Sequence, residues 1–187
     1  MAGTMNGTFH AYSGCTMQTS LLDCSVTKNM LLESIREAGA ALRFELVAYV
    51  ICRAEFHLIL RIFEGGTPLP RIMKDIKYRF SRKYNAGFGT SGTTWSRRYG
   101  KKRIDSTANP DAYFKWLIAK LAEASEMEYV KGDRFSSLRQ FYEPGCSPML
   151  ATEKHRVFED AGKTDRERRR EFRRYREIYR ETKFLDP

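Results

Sequence analysis

The stretch LRFELVAYVICRAEFHLILRI, residues 42–62, decides the fold. Residues 42–52 and 55–62 are dense in β-branched, aromatic and aliphatic side chains, which suit a pleated, half-buried surface and predict two strands. Only Arg53 and Ala54 separate them, a gap short enough for a hairpin turn even without the Gly or Asn such turns favour. With a side-chain period of two, Glu55, His57 and Ile59 share one face of the second strand, and Phe56, Leu58 and Leu60 share the other.

Working outward, TFHAYSGC (8–15) is aromatic-rich and flanked by turn residues, which predicts a first strand. Residues 26–41 place Val26, Met30, Leu31, Ile35 and Ala38 on one helical stripe, with Ser25 or Thr27 available as the cap. On the other side, Gly65, Gly66, Pro68 and Pro70 form a break. A helical period then runs over 71–84 through Ile72, Ile76 and Phe80. Residues 85–94 hold three glycines and read as a loop, and 95–104 as a strand. Residues 111–127 are a helix with Asn109 as its cap and Pro110 at its first position. After a loop containing Pro144, Gly145 and Pro148, the run Thr164-Asp-Arg-Glu167 is a capping box opening a charged helix to about residue 183. The order β, α, β, β, α, β, α predicts an α+β, ferredoxin-like antiparallel sheet of about four to five strands with packed helices, plus a C-terminal basic helix. The expected division is a domain over 1–145 and a linker with charged helix over 146–187.

Composition bounds the function. The chain has 187 residues, 42% of them hydrophobic and 13% aromatic, enough for a real core and against wholesale disorder. Its formal net charge of +10 suits nucleic acid, an anionic membrane or simple solubility. No apolar run approaches the roughly 20 residues needed to span a bilayer, and residues 1–14 lack the blocks of a signal peptide. Cys15, Cys24, Cys52 and Cys146 lie far apart without a CxxC pair, which argues against a zinc knuckle or disulfide scaffold. Reduced thiols and a cytoplasmic location are the expectation.

The charge is focused. Arg71, Lys74, Lys77, Arg79, Arg82, Lys83, Arg97, Arg98, Lys101, Lys102 and Arg103 are opposed over residues 71–103 by Asp75 alone, an excess equal to that of the whole chain. Tyr78, Tyr84, Phe88, Trp95 and Tyr99 are interleaved with them. Cations for phosphates and π faces for unstacked bases are what a flexible nucleic-acid strand requires. A solvated helix face with core aromatics is the bland alternative. Residues 163–183 carry ten basic and five acidic residues that can pair along a helix, with Phe172, Tyr175 and Tyr179 as a narrow apolar stripe. That pattern fits a docked, salt-bridged helix or a DNA-grasping arm.

Glu55 and His57, adjacent on one strand face, supply a carboxylate and an imidazole, a pair suited to Mg2+, Mn2+ or Zn2+. A metal site needs further ligands. The succession TFHAYSG (8–14), LRFELVAYVICRAEFHLIL (42–60), the basic helix and GTTWSRRYGKKRI (92–104) resembles the single-tyrosine HUH transposases, in particular the REP-associated tyrosine transposases. That family carries a strand reading approximately YVxMPNHxHLLL, an Arg- and Tyr-rich helix and a W-x-x-R-Y strand. The resemblance spans about residues 8–141, and SSLRQFY (136–142) matches the closing segment.

The resemblance implies an HUH fold and a divalent ion, Mg2+ or Mn2+, held by two histidines and a third polar ligand. It implies a helix-borne tyrosine that attacks a phosphate in single-stranded DNA, leaving a 5′-phosphotyrosine link and a free 3′-OH. Its DNA is commonly a hairpin beside a short guide sequence, and family members occur as monomers and as dimers.

Two departures stand out. The first family histidine falls on Glu55, while His57 keeps the second. The nucleophile helix, roughly YIxxNPV, should fall in WLIAKLAEA (116–124), which holds no tyrosine. The nucleophile position lands on Ala119 or Lys120; if on Ala119, Glu123 one turn later is a candidate third ligand. Tyr113, about two turns early, is the nearest substitute nucleophile. Tyr99 matches the family's strand tyrosine, which is not the nucleophile.

Three readings follow. The first is a domesticated or decayed transposase that binds hairpin or single-stranded DNA without cutting it. The second is an active transposase or metal nuclease using Glu55 and His57 with Tyr113 or water. The third is an RNA-binding or protein-interaction module. His10 is expected as a hydrogen-bonded structural histidine near the face of His57, Cys52 as a buried inert thiol, and His155 receives no role.

Overall fold

The computed structural model describes residues 6–16, 21–95, 98–128 and 135–182. Its strands are β1 (Gly7–Gly14), β2 (Glu45–Ile51), β3 (Glu55–Ile62) and β4 (Gly100–Arg103). They form one sheet in the order β2-β3-β1-β4, antiparallel throughout. Helix α1 (Ser25–Ala41) connects β1 to β2, and α2 (Leu69–Phe88) connects β3 to β4. This is the expected ferredoxin-like arrangement, with four strands.

The β2–β3 turn forms where the sequence places it, closed by the Cys52 amide donating to the Glu55 carbonyl at 2.8 Å. It contains no positive-φ residue. Neighbouring chain holds it instead: the Cys15 amide donates to Ala54 O (2.7 Å), the Leu22 amide to Arg53 O (3.1 Å), and Arg53 pairs with Asp23. A register shift between Leu46 and Ala48 makes Val47 an extra residue in β2. Val47, Ala48 and Val50 therefore all join one core, while Tyr49 and Ile51 join the other.

The sheet is covered on both faces. Phe9, Ala11, Phe56, Leu58 and Leu60 pack with Leu31 and Ile35 of α1 and with Ile72, Ile76 and Phe80 of α2. The opposite face is roofed by α3 (Pro110–Glu128), the single turn α4 (Arg156–Glu159) and α5 (Asp165–Glu181). There Phe114, Leu117, Phe141, Phe158 and Phe172 form a second core with Val50 and Ile59. The 146–187 segment thus contributes Val157, Phe158 and Phe172 to an interior shared with β2 and α3.

Boundaries differ from expectation where long-range contacts decide them. Of the strand expected over 95–104, the described residues form β4 over Gly100–Arg103. Trp95 makes an isolated bridge to Cys15, and buried Ile104 opens a 3-10 turn. Helix α1 starts after Cys24, with neither Ser25 nor Thr27 capping; the Thr27 hydroxyl donates back to Cys24 O (3.0 Å). Helix α2 extends four residues beyond Tyr84 and stops at Gly89, whose φ of 62° favours glycine. Asn109 accepts from the Ala112 amide (3.1 Å), and the Thr164–Glu167 capping box is formed. All four cysteines are free, Cys52 being buried. Among the described residues no helix is long and apolar enough to cross a membrane.

Candidate functional site

Strand alternation turns Glu55 and His57 toward the α3 side of the sheet, and the β1–β3 register sets Tyr12 opposite His57 and His10 opposite Ile59. The result is a relay. His10 Nε2 and His57 Nδ1 are 3.1 Å apart, and His57 Nε2 lies 3.1 Å from Glu55 Oε1. A carboxylate only accepts, so the proton on Nε2 of His57 points to Glu55, its Nδ1 accepts, and His10 Nε2–H donates. Burial first, then the charges of His57 and Lys120, push His10 down to about 3, which keeps it a neutral donor. Glu55 is held below the usual carboxylate range chiefly by its hydrogen bond from His57. Tyr12 stacks on the His57 ring (5.7 Å between centroids) and leans on His10 (5.2 Å).

Two ligand atoms in neighbouring positions on an octahedral ion, each at about 2.1 Å, stand about 3 Å apart. The 3.1 Å between Glu55 Oε1 and His57 Nε2 fits such a pair, with the ion in place of the His57 proton and His10 orienting the ring from its other nitrogen. The expected third ligand does not join them. Glu123 accepts from Arg176 (2.6 Å) and Arg180 (2.8 Å); burial opposes its ionisation, but these two arginines hold its carboxyl below the usual range. Docking of α5 on α3 is the reason. Among the described residues no group of three or more His, Cys, Asp or Glu is placed to hold a metal ion.

On α3, Tyr113, Trp116 and Lys120 follow one another at helical spacing. Of the two nucleophile positions, Ala119 is 1% exposed and packed in the helix roof, while the Lys120 charge acts on His10. Tyr113 is buried at 4% exposure, with Lys102 Nζ 4.0 Å above its ring. The ring of Tyr12 is in contact with both histidines. Its shared parity with His10 in TFHAYSG was the available signal, but the register against His57 was needed to use it.

The basic residues divide between two faces. Helix α2 packs on the Phe56 and Leu58 side, so its cations lie across the sheet from Glu55 and His57. The cations that the sequence groups over 71–103 are therefore divided between the two faces of the sheet. Arg79 pairs with Asp75 (2.6 Å) and Glu37 (3.1 Å), and Lys83 with Glu37 (2.8 Å), tying α2 to α1. Arg71 and Lys74 are exposed, and Arg82 lies over the Tyr78 ring (5.8 Å). Lys74, Lys77, Tyr78, Trp95, Arg98 and Tyr99 line an open groove of about 660 Å³, where the Trp95 indole N–H donates to Lys77 O (3.1 Å). On β4, Lys101 is paired with Ala11 and Arg103 with Phe9, on the α2 side; Lys102, paired with His10, faces α3. Arg97 lies outside the described residues.

The two surfaces meet at one end of the sheet. Burial first, then Glu55, pushes the Cys15 thiol up to about 12, while Lys77 acts in the opposite sense. Cys15 lies between them: it follows Gly14, which is paired with Glu55, and it bridges to Trp95 of the groove.

No protein-family model matches the chain, and no curated protein sequence matches it. Among solved structures it is similar to a REP-associated tyrosine transposase bound to a REP hairpin, with 18% identity, a TM-score of 0.60, and coverage of 83% of this chain and 91% of that one. A candidate transposase from Deinococcus radiodurans R1 matches at 18% identity and a TM-score of 0.43, covering 65% of this chain and 95% of that one. The first likeness establishes a shared fold: the sheet and its helix layers are those of that transposase.

Proposed function

We propose that this chain is a DNA-binding relative of the single-tyrosine transposases that recognises hairpin or single-stranded DNA and has no tyrosine nucleophile. The observation that carries the reading is that α3 holds no tyrosine over residues 116–124, its two nucleophile positions being Ala119 and the exposed Lys120, on the fold of a hairpin-bound transposase. Binding needs charge and shape, and the groove of Lys74, Lys77, Tyr78 and Trp95 supplies cations and aromatic faces. Transesterification needs one hydroxyl held within about half an ångström of its target. The burial of Tyr113 beneath Lys102 supports the non-cutting reading. The test is labelled hairpin DNA with Mn2+, resolved on a denaturing gel. Retention of DNA without a covalent adduct is the expected outcome; an adduct, whether lost in Tyr113→Phe or in Tyr12→Phe, overturns it.

One observation favours a second reading, a metal-dependent single-strand endonuclease: the spacing of Glu55 and His57. A Mg2+ or Mn2+ ion held by these two residues would supply Lewis acidity at a phosphate oxygen. Cleavage without an adduct, abolished by His57→Ala, would establish that reading. Competition between DNA and RNA hairpins separates both from an RNA-binding module.

A further inference from the structure

On the His10 side of the sheet, Lys102 of β4 and Lys120 of α3 have their ammonium groups held on aromatic rings. Lys102 Nζ stands 4.0 Å above the Tyr113 centroid and Lys120 Nζ 4.5 Å above that of Trp116, and the two rings are 5.3 Å apart. Both charges act on His10. Among the described residues neither ammonium forms an ion pair with a carboxylate. Several other cations are paired: Arg79 and Lys83 with Glu37, and Arg176 and Arg180 with Glu123. Two positioned cations without a counter-anion are suited to an anion from outside.

Beside them is an exposed aromatic platform. Tyr12 is 40% exposed, one ring face being stacked on His57. The ring reaches across the edge strand at Gly100, where a Cβ would lie 2.2 Å from Tyr12 Cζ; only glycine leaves room for it. In the β1–β4 register Tyr12 is opposite Gly100 and His10 opposite Lys102. Tyr12 and Lys102 are therefore diagonal neighbours, with backbones about 7–8 Å apart, comparable to the base-to-phosphate span of one nucleotide.

We infer that Tyr12, Lys102 and Lys120 form a single-nucleotide subsite, in which an unpaired base stacks on the outward face of Tyr12 and its phosphate sits against the two ammonium groups. The inference rests on the DNA-binding reading and deepens it. It assigns the unpaired nucleotide to the α3 side of the sheet, across from the α2 groove, and assigns its phosphate to lysines rather than to a metal ion.

The experiment uses the full chain and a hairpin DNA with an unpaired 5′ flank carrying 2-aminopurine, titrated in EDTA. Stacking on Tyr12 quenches the fluorescence. Tyr12→Ala abolishes the quenching and lowers affinity about 10- to 100-fold, whereas Tyr12→Trp retains both. Lys102→Ala and Lys120→Ala each flatten the salt dependence, by up to about 0.7 logarithmic units for one lost single-strand phosphate contact. A methylphosphonate at the linkage beside the 2-aminopurine removes the effect of both lysine changes. Circular dichroism melting verifies that each variant is folded. Hairpin binding that is indifferent to Tyr12→Ala and to both lysine changes, or quenching that requires a divalent ion, overturns the subsite while DNA binding stands. A wild-type chain that binds no hairpin overturns both readings.

Discussion

At the residue scale, two histidines that a sequence reading leaves almost without role turn out to be fixed by burial. His155 caps α4 by accepting from the Val157 amide through Nδ1 (3.3 Å), which leaves its Nε2–H to donate to the Thr8 hydroxyl (3.2 Å). It stacks on Phe114 at 4.1 Å, and burial is the largest of the causes that push it down to about 4. Both of its hydrogen bonds use the neutral ring. The folded state therefore binds this proton later than the unfolded chain does, near 6.5. Stability from this group is complete above about pH 6.5 and is lost as pH falls toward 4, by about 3 kcal/mol in all. Urea unfolding across that window should show wild type losing more stability than His155→Gln, whatever the two differ by at pH 7. Equal pH slopes would show that the ring is not held neutral.

At the element scale, α5 is the least expected part of the molecule. Its composition fits an arm or a docked helix equally, because charge periodicity does not say what lies opposite. The contacts do. Phe172 is 1% exposed and packs against Phe114, Phe141 and Phe158, while Lys115–Glu171 (3.1 Å) and the Glu123–Arg176–Arg180 cluster clamp its flanks. Phe172→Ala should cost about 3–5 kcal/mol in thermal or urea unfolding, since it leaves a cavity between helix and sheet layers. Glu123→Gln should cost about 1–2 kcal/mol by weakening the pairing of the largely buried Arg176. It should leave any Mn2+ dependence of DNA handling unchanged; a shift in metal affinity would restore Glu123 as a ligand.

At the scale of the whole molecule, an excess of ten positive charges is distributed over two faces joined at one end of the sheet. Cations already paired contribute less to DNA binding than those left open. Lys74→Ala and Lys101→Ala should therefore lower the salt slope of hairpin binding by up to about one unit each. Arg79→Ala and Lys83→Ala should change it less, because Asp75 and Glu37 already pair with Arg79, and Glu37 and Glu33 with Lys83. Equal slopes across the four variants would refute this division. Strands β2 and β3, their short turn, the parity of Glu55 and His57, the helix caps at Asn109 and Thr164 and the net basicity were all legible in the chain, because alternation, capping and composition are local properties. The pairing of His10 and Tyr12 with His57, the withdrawal of Glu123 to α5, the approach of Lys120 to His10 and the separation of the α2 cations from the histidine face were not. Each depends on strand register or on which layer a helix covers, and those follow from burying two apolar faces at once rather than from any one stretch of residues.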